Sequence, residues 1–66
     1  MNESYYKPYV FIYGARYYLV KVKKESGRFY LILSFDKDKG MELPYEKYKK
    51  TMAIIKRAPE DCLQFI

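Results

Sequence analysis

Residues 9–35 constrain the chain more than any other stretch. They are rich in aromatic, β-branched and aliphatic residues, broken by Gly14 and by Gly27 within short polar turns. Such runs read as strands. Glycine reaches positive φ without a Cβ clash, so Gly14-Ala15 suits a two-residue type II′ loop. That loop opposes Tyr13 to Arg16, Phe11 to Tyr18 and Tyr9 to Val20. A second turn over residues 24–27, whether a two-residue Ser26-Gly27 loop or a four-residue one, joins a third strand in the same parity. The expectation is an antiparallel meander with strands at 9–13, 16–24 and 28–35.

Side chains alternate across a strand, so this register sorts the sheet into two faces. One holds Tyr9, Phe11, Tyr13, Tyr18, Val20, Val22, Phe29, Leu31, Leu33 and Phe35, and is expected to be the core face. The other holds Val10, Ile12, Tyr17, Leu19, Lys21, Lys23, Arg28, Tyr30, Ile32 and Ser34. A three-residue loop at 25–27 would slip the third strand by one and exchange its faces.

Downstream, Asp36 to Gly40 carries strong turn chemistry. A short fourth strand at 41–43 is expected to return along the third, and Pro44 to end it and introduce a helix. Tyr45, Tyr48, Met52 and Ile55 recur at spacings of three, four and three, which predicts an amphipathic helix over 45–57 lying on the meander. The alternative takes 51–57 and 62–66 as a hairpin and gives a small SH3-like β-barrel. Pro59 breaks the helix, and residues 58–66 form a terminal helical turn or a final strand. The fold class is thus α+β, mainly β: one domain spanning 1–66, with a short arm at 1–8, the meander at 9–44 and the helix after it.

A chain of 66 residues lies near the lower limit for a core without disulfides or metal. Its hydrophobic content of 50% argues against disorder, and nine Tyr and four Phe supply large buried areas from few residues. One cysteine, Cys62, and no histidine leave no internal disulfide and no four-ligand zinc site. Without a signal peptide, the expected setting is intracellular and cytoplasmic, with no membrane segment and no cofactor. The commonest general base is missing and no serine or threonine has an activating partner, so the chain is not expected to be an enzyme.

A net charge of +5 points to an anionic partner. Arg16, Tyr17, Lys21, Lys23, Arg28 and Tyr30 interleave rings with cations on the central hairpin, which can stack bases while neutralising phosphates. The chain is therefore expected to be a non-catalytic small basic protein that contacts nucleic acid through this hairpin face. The alternative is a protein-binding module, such as an inhibitor or adaptor of a nucleic-acid-processing enzyme. The Lys-, Tyr- and Ile-rich composition suits an accessory gene of a virus or mobile element. Val10, Ile12, Leu19 and Ile32 fall on the face that the helix does not cover, and a two-fold homodimer would bury them.

Overall fold

In the computed structural model, which describes residues 4–66, both glycine turns are two-residue loops with positive φ at both positions. Tyr13 and Gly14 lie at 51° and 80°, and Ser26 and Gly27 at 51° and 78°. These are type I′ loops, whose twist matches that of the strands they join. The first closes Ile12 on Ala15. The expected pairing of Tyr13 with Arg16 is therefore displaced by two residues, which leaves the relative faces of the two strands unchanged. The second closes Glu25 on Arg28, the two-residue Ser26-Gly27 loop that the sequence allows.

The chain forms β1 (Tyr5–Tyr6), β2 (Tyr9–Ile12), β3 (Ala15–Glu25), β4 (Arg28–Ser34), β5 (Leu43–Pro44), α1 (Tyr45–Arg57) and β6 (Leu63–Phe65). A turn of 3-10 helix at Lys37–Lys39 precedes β5, with the Asp36 side chain accepting from the Asp38 amide at 2.9 Å, and another at Glu60–Cys62 precedes β6. The principal sheet has the order β2-β3-β4-β6 and is not closed. Its first three strands are the expected meander and α1 covers it, so the fold is α+β, mainly β.

The fourth strand is not the one expected. β5 pairs with β1 in a separate two-stranded ribbon, so the sequence-predicted arm carries a strand of its own at Tyr5–Tyr6. Residues 1–3 of that arm lie outside the described residues. The place beside β4 is taken by β6, which runs parallel to it with Leu31 opposite Leu63 and Leu33 opposite Phe65. The terminal segment thus combines the two forms open to it, a helical turn and then a strand.

One irregularity reassigns the faces. Leu19 opposes Leu33, and the next pair is Lys21 with Ile32, so Val20 is an extra residue bulged out of the β3–β4 ladder. On β4 the expected faces hold, with Leu31 and Leu33 buried. Along β3 the positions on the core face of the sheet are Tyr17 and Leu19 before the bulge, which pack in the core, and Val22 after it, which stays half exposed. Because β2 pairs with the first half of β3, Val10 and Ile12 also turn inward.

The core is accordingly Leu19, Leu31, Leu33 and Ile55, flanked by Val10, Ile12, Tyr17, Met41, Ala58 and Leu63. Phe11, Tyr13, Val22, Phe29 and Phe35, expected inside, are exposed. The dimerisation patch expected from the sequence does not form. Leu19 is fully buried, Val10 and Ile12 pack against the core, and Ile32 is buried on the reverse face.

Helix α1 has the expected bounds, with Pro44 as its N-cap residue. Its inward residue Ile55 is buried in the core, while Met52 lies against the free edge of β2 and its sulfur accepts from the Tyr9 amide at 3.4 Å. Pro8, buried just before β2, lacks an N–H to satisfy, and its carbonyl accepts from the Leu19 amide at 2.9 Å. The Leu19 carbonyl in turn accepts from Met41 at 2.8 Å, which ties the segment before β5 to the middle of β3.

Gly40 closes this segment against β3. Its φ of −67° suits any residue, yet a Cβ there would lie 2.9 Å from the Tyr18 Cβ and 3.3 Å from the Lys37 carbonyl oxygen. Gly40→Ala is expected to destabilise the fold by roughly 1–3 kcal/mol through overpacking. Gly14→Ala meets no atom within 4 Å and carries instead the left-handed backbone penalty, roughly 1–2 kcal/mol. Urea unfolding at neutral pH measures both, and an unchanged midpoint for Gly40→Ala would mean that the 36–42 segment moves freely away from Tyr18.

The molecule measures 40 × 27 × 18 Å, with a radius of gyration of 11.9 Å against roughly 11 Å for a compact chain of this length. The excess length fits the distal β3–β4 hairpin, where every residue from 21 to 29 is exposed. Among the described residues no helix is long and apolar enough to cross a membrane.

Candidate nucleic-acid interface

The bulge that exchanges the faces of β2 and the first half of β3 also separates Tyr17 from the other residues singled out from the sequence. Lys21, Lys23, Arg28 and Tyr30 stay together on one side of the distal hairpin, where Lys23 opposes Tyr30 and Arg28 opposes Glu25. Tyr17 leaves the group. It packs on the core side, its ring centroid 4.3 Å from Phe35 and 4.9 Å from Phe65. Arg16 sits before the bulge near the opposite end of β3, with its guanidinium 4.7 Å from the centroid of Tyr9 and 5.1 Å from that of Phe11.

Two of the hairpin cations are already partnered. Lys23 Nζ lies 2.9 Å from Glu25 Oε2, and Arg28 Nη2 donates to Asp61 Oδ2 at 2.9 Å and to Cys62 Sγ at 3.7 Å. The hydrogen bond to Glu25 raises the Lys23 pKa, and that to Asp61 raises that of Arg28. Both pairs are solvent-exposed and contribute little to stability. Lys24 is turned to the other side of the ribbon, its Nζ 5.5 Å from the Phe29 ring. The hairpin therefore presents positive charge on both sides but few rings.

The rings gather elsewhere, where β1, β2 and the first turns of α1 meet. Tyr6 lies edge-on to Tyr45 at 5.5 Å and tilted against Tyr48 at 5.3 Å. Tyr9 and Phe11, two residues apart on β2, make an edge contact at 5.7 Å. Three adjoining shallow grooves share Tyr9 as a common wall and run from Tyr6 and Arg16 past Tyr48 to Met52 and Lys56. Lys7, Arg16, Lys37, Lys49, Lys56 and Arg57 line them, as does the carboxylate of Glu42. Lys49 places its Nζ 5.3 Å from the Tyr45 ring.

Their exposure separates the rings that hold the fold from those free to do something else. Tyr9 and Tyr48 are half-buried, and desolvation, then the neighbouring phenols of Tyr9 and Tyr45, push the Tyr48 pKa up. Phe11 and Tyr45 are 56% and 52% exposed. An aromatic ring left half in water contributes little to the core, and several of them beside cations that form no salt bridge among the described residues can offer stacking surfaces along an anionic strand.

Tyr6, Tyr9, Phe11, Tyr45 and Tyr48 were not legible as a group in the sequence. Helical spacing marked Tyr45 and Tyr48 as core, and the assumed register placed Tyr9 and Phe11 inside. The available signal was the abundance of Tyr at both ends of what became one surface, but nothing local joins the residues around 5–11 to those around 45–49. No known protein family, curated protein or solved structure matches the chain.

Proposed function

We propose that this is a non-catalytic nucleic-acid-binding protein that takes single strands on its tyrosine-lined face, with the basic hairpin as a second, electrostatic contact. The observation that carries the reading is the continuous surface around Tyr9, where exposed rings alternate with Arg16, Lys49 and Lys56. Unstacked bases have free π-faces that can settle on Phe11 and Tyr45, whereas the bases of a duplex are occupied by their neighbours. The cations that line the same grooves can neutralise phosphates, and the guanidinium of Arg16, held over two rings, is directed rather than freely rotating.

Fluorescence anisotropy with a labelled oligothymidylate, its duplex with oligoadenylate, and a salt series tests this. The single strand is expected to bind more tightly than the duplex. Its log affinity should fall with log salt by about 0.7 for each phosphate contacted. Equal binding of the two forms, or no binding at low salt, would overturn the reading.

A further inference from the structure

A second surface has the opposite chemistry. Between β4 and the C-terminal half of α1 lies a groove lined by Phe29, Leu31, Ile54, Ala58, Pro59 and Cys62, together with Arg57. Its lining is almost wholly carbon. Phe29 is 58% exposed and Ile54 61%, and the half-exposed Val22 extends the same apolar surface from its position opposite Leu31. Leaving three large apolar side chains so open in a domain this small is costly unless something covers them.

The rim says what kind of molecule that is. Lys50 and Arg57 fall on the same helical stripe as Ile54, four residues before and three after it. Lys24 shares the sheet face of Phe29. The nearby carboxylate of Asp61 is engaged by Arg28. A second copy of this chain docked on the same groove would bring a second set of the same cations to its rim without the carboxylates to match them. A nucleobase would have to leave its polar edges unsatisfied in an aliphatic groove.

We infer that this groove docks an acidic segment of a partner protein that presents one or two large apolar side chains between Asp or Glu residues. The apolar anchors fill the space between Phe29 and Ile54, and the flanking carboxylates meet Lys24, Lys50 and Arg57. Anchor burial supplies the affinity, and the charges supply register and on-rate. Arg57 lines both this groove and the tyrosine-lined face, but the remaining lining is distinct, and the proposal does not depend on the nucleic-acid reading.

The test uses the whole chain and three labelled synthetic peptides. One alternates Leu and Phe with Asp and Glu, one replaces the apolar residues by Ser, and one replaces the acids by Lys. The first is expected to bind at micromolar concentration, the other two at least tenfold more weakly. Ile54→Ser, an exposed position whose change leaves the core intact, should weaken the first peptide roughly tenfold and leave oligothymidylate binding unchanged. Equal binding of the Ser-substituted peptide would overturn the proposal in favour of diffuse electrostatics. Loss of oligonucleotide binding in Ile54→Ser would assign the groove to the nucleic-acid path. Sedimentation of the free protein as a dimer that Ile54→Ser dissociates would assign it to a second copy. Peptide binding that persists when no oligonucleotide binds would leave this site standing while the nucleic-acid reading falls.

Discussion

Truncating Leu19 to Ala is expected to cost roughly 2–5 kcal/mol, a large part of the stability of so small a domain. Leu19 is fully buried and packs with Leu33 across the ladder and with Ile55 from the helix. Its backbone also joins Pro8 to Met41 through the middle of β3. A cavity there would touch the sheet, the helix and the segment leading to β5 at once. Val22, 49% exposed beyond the bulge, is the internal control. Val22→Ala should change stability by no more than about 0.5 kcal/mol. Urea unfolding followed by circular dichroism compares the two. Alternation carried unbroken through β3 predicts the reverse order, so a Val22 variant more damaged than the Leu19 variant would remove the bulge from the structure.

The second large effect is on binding. Replacing Phe11 and Tyr45 together by Leu keeps apolar bulk at both positions but removes two stacking surfaces, each worth roughly 1–3 kcal/mol. Affinity for oligothymidylate should fall by about two orders of magnitude or more. The salt slope should stay where it was, because no phosphate contact is lost. Changing Lys21, Lys23 and Arg28 together to Ala should behave differently. The slope should fall by clearly less than the roughly 2 expected of three free cations at about 0.7 each, because Glu25 and Asp61 already hold two of them. If the ring variant binds like the wild type while the hairpin variant loses most affinity, the tyrosine cluster is packing and the hairpin alone is the site.

These contrasts follow from how differently local and non-local information is written into the chain. The strands, the helix and the turns depend on near neighbours. Gly14 and Gly27 marked the reversals because φ values near +80° are open to glycine at little cost. Tyr45, Tyr48, Met52 and Ile55 marked the helix because their spacing matches its turn, and Pro44 marked its start. The basic hairpin was legible for the same reason, since Lys21, Lys23 and Arg28 lie close in sequence to a turn that had to bring them together.

The sheet faces were not legible, and one residue explains it. A strict period of two carries no sign of an inserted residue, so the alternation through Val20 looked regular while the ladder shifted there. Whether β3 bulges depends on the energy of placing Leu19 against Leu33 and Val22 against Leu31 together, with β2 bringing Val10 and Ile12 to the same side. No window of local sequence contains that comparison. The parallel pairing of β6 with β4 and the ribbon of β1 with β5 likewise join segments far apart in the chain, where burial rather than propensity selects the partner. The tyrosine-lined surface exists because of those pairings. By itself the sequence determined the three strands of the meander, their turns and the stretch favouring a helix, because near neighbours set those preferences, whereas β1 and the pairing of β5 and β6 were not in it. Tertiary structure decided which side chains turn inward and which rings meet, because both depend on contacts that form only once the sheet has coiled and the helix has closed on it.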